Sequence, residues 1–197
     1  MTNIALSKGR IEEEFIKTLV DRKIIKNEIV YDRQLVLTID NLKIILVKSN
    51  DVFELIDKGF ADIGIVGSDM IEEINDNNIT TLLDLNTGKC SFVLATLQNM
   101  DINDIKKIAT KYPNKAKEFL KRIKLECEII KMNGSLESAP LIGYADGIID
   151  LVETGNTLKA NGLVERIRFE DISTKVVTSV NNRENIKIKR LIEQIRR

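Results

Sequence analysis

Short apolar runs alternate with helical periodicity along almost the whole chain. Asn3 to Leu6 predicts a strand, and Ile11, Phe15, Leu19 and Val20 then share one helical face. Leu35, Leu37 and Ile39 alternate with Val36 and Thr38, Lys43 to Val47 is a second extended run, and the Asp40-Asn41 turn between them predicts a hairpin. A helix is expected from near Asn50 to before Gly59. Ala61 to Val66 predicts a buried strand, with Ser68 as cap of the helix after it. Ser91 to Thr96, Cys127 to Met132, Gly147 to Val152 and Ile172 to Val180 are further strand candidates. Pro113 suits the start of a helix whose apolar face is Ala116, Phe119, Leu120 and Ile123. A last helix carries Ile188, Leu191, Ile192 and Ile195.

Repeated strand–helix alternation implies an α/β protein with a mainly parallel sheet. No internal repeat, low-complexity tract or Pro/Gly/Ser linker interrupts it. A division into two lobes is expected, with 1–88 and 174–197 forming the first and 89–173 the second, entered at the Gly88-Lys89 turn.

With 197 residues, 43% of them hydrophobic, the chain can bury a real core. Lys+Arg and Asp+Glu both number 30. That balance, with 5% aromatic residues, argues against a nucleic-acid binder, so any anionic ligand must be met by a local basic cluster. No apolar run approaches the ~18 residues of a membrane span, and the N-terminus has no secretory apolar region, so a cytoplasmic location is expected. The chain has no histidine, which excludes His-based zinc sites, a Ser-His-Asp triad and a Cys-His pair. Cys90 and Cys127 are read as small buried apolar residues.

The strongest local signal runs from Ile148 to Thr157: an apolar strand delivers Asp150, then Glu153-Thr154-Gly155-Asn156-Thr157 turns into a helix start at Leu158. Gly155 lets the backbone curl close to an anion, the turn's N–H groups point at its oxygens, and two threonine hydroxyls add donors. Asp150 is placed to accept from ribose hydroxyls. The same residues also suit an ordinary capped helix start. A second signal is Leu6-Ser7-Lys8-Gly9-Arg10, between the first strand and first helix. Two cations and a glycine at a strand's carboxyl end suit a polyphosphate, or equally a solvated tight turn. Gly59 to Gly67 is glycine-rich without matching G-x-G-x-x-G; Gly64 fits close packing, and Gly67-Ser68-Asp69 fits a ligand-facing helix start.

Together these segments resemble the ATP phosphoribosyltransferase family. The resemblance rests on Leu6 to Arg10, Gly59 to Asp69, Ile108 to Asn114, Gly134 to Gly143, Asp150 to Thr157 and Leu158 to Leu163, in order. It implies two α/β lobes like a type II periplasmic binding protein, with the active site in the cleft and the phosphoribosyl-pyrophosphate loop on the second lobe. It implies that Thr154, Gly155, Asn156 and Thr157 hold the donor's 5′-phosphate and that Asp150 and Glu137 face the ribose. Arg10 and Arg33 would face the departing pyrophosphate, and Lys8, Gly9 and Asp51 the nucleotide. Lys48, Phe53, Leu55 and Ser91 depart from the family pattern; a lysine cannot form arginine's bidentate fork.

The implied reaction is attack of ATP N1 on the anomeric carbon of phosphoribosyl pyrophosphate, the first step of histidine biosynthesis. Mg²⁺ would be carried mainly by substrate phosphates, with no all-protein metal site. The chain ends soon after Ile195, so the resemblance is to the short form. That form implies a homodimer that joins a histidyl-tRNA-synthetase-like regulatory subunit, with neither nucleic acid nor membrane as partner. Two rivals are a non-catalytic binding module on the same scaffold and a phosphoribosyltransferase with another base as acceptor.

Overall fold

The alternating pattern builds two mixed sheets. The computed structural model describes residues 1–26 and 33–196. One unit comprises Met1–Ile71, Asn75–Gly88 and Ser173–Arg197; the other comprises Glu72–Ile74 and Lys89–Ile172.

The first unit opens with strand β1 (Thr2–Ser7) and helix α1 (Arg10–Asp21), then the hairpin β2 (Val36–Ile39) and β3 (Leu42–Val47). Helix α2 (Ser49–Asp57), β4 (Ile63–Gly67), α3 (Ser68–Ile74, whose end Glu72–Ile74 counts with the second unit) and β5 (Ile79–Asp84) follow. The second unit contains β6 (Cys90–Leu97), β7 (Lys107–Thr110), α4 (Pro113–Arg122), β8 (Glu128–Lys131), α5 (Ser138–Leu141), β9 (Gly147–Val152), α6 (Asn156–Ala160) and β10 (Leu163–Ile172). The chain returns to the first unit with β11 (Thr174–Ser179) and α7 (Ile186–Arg196).

The first sheet has the order β2-β3-β1-β4-β11-β5, the second β10-β6-β9-β7-β8. In the first, β1 pairs in parallel with β3 and β4, while β2–β3, β4–β11 and β11–β5 are antiparallel. In the second, β7 pairs in parallel with β8 and β9, while β6 is antiparallel to β9 and β10. The expected mainly parallel sheet is therefore corrected to two mixed ones. The two-residue turn of the β2–β3 hairpin can join only antiparallel neighbours.

Each unit has its own core. Phe15 and Leu19 of α1 and Ile188, Leu191, Ile192 and Ile195 of α7 pack with Ile4, Leu6, Ile44, Ile63 and Ile65 from the strands. In the second unit Val93, Ala109, Leu136, Ala139, Ile148, Leu158 and Leu163 form the corresponding cluster. Gly64 supports the close-packing reading: a β-carbon there would lie 2.4 Å from Val52 Cγ1 and 2.8 Å from Ile56 Cδ1 of α2.

Several expectations shift. Ile172 to Val180 is not one strand, because the chain leaves the second sheet at Ile172 and enters the first at Thr174. Ser68 does not cap α3: Gly67 holds the cap position and Ser68 is the first helical residue, one step too far along. Strands β5, β7 and β10 had no counterpart in the pattern. In β10, register breaks leave Arg166 and Phe169 as extra residues and destroy the two-residue period. The breaks redirect both side chains. Arg166 donates to Thr96 Oγ1 and to the carbonyls of Leu97, Gln98 and Met100 at 2.8–3.0 Å. Phe169 stacks on Phe119 with centroids 3.7 Å apart. Neither cysteine is fully buried; partial burial and the nearby Asp146 carboxylate push the Cys127 thiol up.

Candidate active site

The Asp150–Thr157 segment forms a concave loop in the second unit. Strand β9 is buried through Gly147, Ile148 and Ile149 and surfaces at Asp150, whose Oδ1 accepts the Leu151 N–H at 2.8 Å. After Val152 the chain turns through Glu153 and Thr154 to Gly155. Gly155 takes the left-handed conformation, φ 75°, at the cap position of α6, a geometry glycine adopts without penalty. Thr154 Oγ1 accepts the Asn156 N–H at 3.5 Å, and Asn161 Nδ2 donates to the Thr157 carbonyl at 2.9 Å, tying the first turn of α6 to its end. Leu158 is buried beneath and anchors the turn.

This loop lines a cavity of about 240 Å³ together with Glu137, which precedes α5. The structure thus brings six expected residues together: Glu137, Asp150, Thr154, Gly155, Asn156 and Thr157. Glu153 and Leu158 line it as well. Glu153 stands inside the loop between named residues, and its position alone was the available signal.

The remaining expected residues lie in the first unit, at the carboxyl ends of parallel strands. β1 and β3 end side by side, Ser7 opposite Val47, with the Ser7 and Ser49 hydroxyls 2.7 Å apart. Lys8 and Gly9 form the turn after β1, Arg10 starts α1, and Asp51 lies exposed in the first turn of α2. Arg33 is exposed ahead of β2. Because β2 runs antiparallel to β3, and Leu46 N–H donates to the Leu35 carbonyl at 2.8 Å, Arg33 lies toward that same end of β3.

Two partners here escaped the sequence reading. Glu12 Oε2 accepts the Gly9 N–H at 3.1 Å; a glutamate three residues after the turn is capping-box spacing, a legible signal. Arg10 Nη2 donates to the Gly88 carbonyl at 3.1 Å, a contact across 78 residues with no local signature. Among the departures from the family pattern, Ser91 Oγ donates to Asp171 Oδ1 at 2.7 Å, linking β6 to β10. Phe53 is buried in α2.

A family model for ATP phosphoribosyltransferase matches residues 48–197. An ATP phosphoribosyltransferase of Staphylococcus epidermidis is 40% identical over 200 residues, spanning 99% of this chain and 97% of that one. A chain of the ATP phosphoribosyl transferase (HisG:HisZ) complex from Thermotoga maritima superposes with a TM-score of 0.84 at 29% identity, over 100% of this chain and 97% of that one. The periplasmic VFT2 domain of Bordetella pertussis BvgS superposes with a TM-score of 0.62 at 13% identity, over 99% of this chain and 92% of that one, and shares the fold alone. The chain belongs to the ATP phosphoribosyltransferase family, whose reaction, the transfer of the 5-phosphoribosyl group of phosphoribosyl pyrophosphate to N1 of ATP, opens histidine biosynthesis.

Proposed function

We propose that the loop Thr154-Gly155-Asn156-Thr157 holds the 5′-phosphate of phosphoribosyl pyrophosphate, with Asp150 and Glu137 facing the ribose. The observation that carries this reading is the cavity itself: one strand end, one left-handed glycine and two threonines surround it, with the carboxylates of Glu137, Asp150 and Glu153 alongside. Backbone N–H groups and hydroxyls suit the phosphate oxygens, and carboxylates suit sugar hydroxyls. Titrating phosphoribosyl pyrophosphate into the wild-type and Thr157→Ala proteins by calorimetry tests it; equal affinities overturn it.

The reaction asks little covalent chemistry of the chain. As N1 of ATP attacks the anomeric carbon and pyrophosphate leaves, positive charge builds on the ribose and negative charge on the leaving group. Placement of the reactants and fixed counter-charges do the catalysis. In this reading Arg10 and Arg33 take the leaving pyrophosphate, and Lys8, Gly9 and Asp51 contact the nucleotide. Lys48 supplies charge there without a planar fork.

Mg²⁺ enters this reading on the substrate. Among the described residues no group of three His, Cys, Asp or Glu side chains comes together to hold a metal, while Glu137, Asp150 and Glu153 stand at the cavity as outer partners. Bound to the phosphates, the ion would neutralise the leaving group.

The reading extends to a cytoplasmic homodimer that works with a separate synthetase-like regulatory subunit. The solved relative from Thermotoga maritima is a HisG:HisZ complex, and this supports the assembly. Histidine then acts only through the partner. Saturable histidine binding by the isolated chain, coupled to inhibition, overturns that assignment.

A further inference from the structure

The contacts of Arg10 within the first unit include one hydrogen bond and one ion pair. Its Nη2 donates to the Gly88 carbonyl at 3.1 Å, and its Nε lies 3.9 Å from Glu14 Oε1, one helical turn along α1. The Gly88 anchor is itself fixed. Thr174 N–H donates to the Thr87 carbonyl at 2.9 Å, and Leu85 N–H to the Thr174 carbonyl at 3.0 Å, so the segment before Gly88 is laced to β11.

Glu14 differs from a solvated i,i+4 partner. Its Oε2 is turned inward and buried, with no hydrogen bond to it among the described residues. It lies 3.6 Å from the point a β-carbon on Gly88 would occupy, and Thr174 Oγ1 lies 2.5 Å from that same point. The carboxylate is therefore wedged between α1, Gly88 and Thr174, with Oε1 left toward Arg10. An exposed pair of this spacing ordinarily fixes little; a carboxylate seated on one side holds its partner in one direction.

We propose that Glu14 is a positioning residue: it aims the Arg10 guanidinium, with the Gly88 carbonyl as second anchor. This rests on the reading of Arg10 as the group that meets the departing pyrophosphate. A donor already aligned when charge develops needs no reorganisation in the transition state. The role is geometric, so an amide that keeps one acceptor oxygen serves in place of the carboxylate.

The test is steady-state kinetics on the full chain, alone and with the partner subunit, for wild type, Glu14→Ala, Glu14→Gln, Arg10→Ala and the Glu14→Ala/Arg10→Ala double variant. Glu14→Ala should lower kcat about tenfold with KM for phosphoribosyl pyrophosphate within about twofold. Glu14→Gln should recover most of the loss. In the Arg10→Ala background, Glu14→Ala should change kcat by less than about twofold, the non-additivity of residues acting as a unit. An equal Glu14→Ala effect in both backgrounds overturns the proposal, as does an unchanged kcat in Glu14→Ala when Arg10→Ala lowers it. An unchanged kcat in Arg10→Ala removes the pyrophosphate role of Arg10 and this proposal with it. Thermal melts of each variant show whether a lost rate is lost folded protein, which also counts against it.

Discussion

Thr110 and Ile149 are joined side chain to main chain: the Thr110 hydroxyl donates to the Ile149 carbonyl at 2.7 Å and accepts the Tyr112 N–H at 3.0 Å. Thr110 is fully buried at the end of β7, and the carbonyl it holds directly precedes Asp150. Thr110→Val keeps the shape but removes the hydroxyl bonded to that carbonyl and to the Tyr112 N–H. The expected loss is about 1–3 kcal/mol, seen as a lower urea midpoint with unchanged slope. Thr110→Ser keeps the hydroxyl and should lose less. A valine variant as stable as the serine variant would show that the hydroxyl contributes nothing.

At the loop, Thr157 is exposed in the first turn of α6. Its side chain carries none of the loop's internal bonds; those use the Thr157 carbonyl and Thr154 Oγ1. Thr157→Ala should therefore leave the melting temperature unchanged. Removal of a bond to a phosphate oxygen should cost roughly 1.5–3 kcal/mol, or about 10- to 150-fold in kcat/KM for phosphoribosyl pyrophosphate. Unchanged kinetics would remove Thr157 from the site.

The sequence made the loop readable because its determinants are local: a strand, a glycine and two threonines within ten residues. Helices α1, α4 and α7 were readable for the same reason, each showing an apolar stripe facing one sheet. The sheets' composition was not readable, since strand neighbours such as β4 and β11 are set by where the chain crosses between sheets. Strand β10 was hidden by its own bulges, which put Arg166 and Phe169 out of phase. The Glu12 cap on Gly9 could have been read from spacing; the Arg10–Gly88 contact could not.

Lys115 joins three carboxylates in the second unit, with Nζ 2.7 Å from both Glu72 and Glu170 and 3.4 Å from Glu118. Burial opposes its charge, but the bonds to Glu170 and Glu72 outweigh this and hold the ammonium above its ordinary range. Burial also works against Glu170, yet hydrogen bonds with Lys115 and Glu72, and the charges of Lys115 and Arg122, hold it below the usual carboxylate range. Glu72 is held above that range, chiefly by burial, with Lys115 opposing and Glu170 adding to the rise. A depressed carboxyl stabilises above its unfolded pKa and loses this as pH falls through the folded value; a raised one stabilises at low pH and loses this as pH rises. Glu170→Gln should therefore cost about 1–3 kcal/mol at neutral pH, with the gap to wild type closing in acid. Glu72→Gln should be better tolerated at neutral pH than Glu170→Gln. Urea midpoints across the acid range check both; a Glu170→Gln gap that widens in acid contradicts the assignment.

The two arginines should separate binding from catalysis. If Arg10 and Arg33 meet charge that develops on the leaving group, Arg10→Ala and Arg33→Ala should each lower kcat by about 10²–10³. KM should move much less, because the contact is stronger in the transition state than in the ground state. A rise in KM alone makes them ground-state binding residues.

Gly155 and Gly88 both hold positive φ, 75° and 63°, but in different surroundings. Among the described residues, a β-carbon at Gly155 would meet only Val152 Cγ1, at 3.8 Å, an ordinary contact. Gly155→Ala therefore carries the backbone penalty alone, about 1–2 kcal/mol, and the turn can relieve it only by changing φ. That change redirects the N–H groups of the loop, so kcat/KM for phosphoribosyl pyrophosphate should fall more than stability does. At Gly88 the same β-carbon would lie 2.5 Å from Thr174 Oγ1, a side chain buried in β11. Gly88→Ala adds this overlap to the backbone penalty and should destabilise more, by about 2–4 kcal/mol when overpacking is included. Thermal or urea unfolding of the pair, beside their kinetics, gives the comparison. If Gly155→Ala proves the more destabilising of the two, local space does not decide these positions.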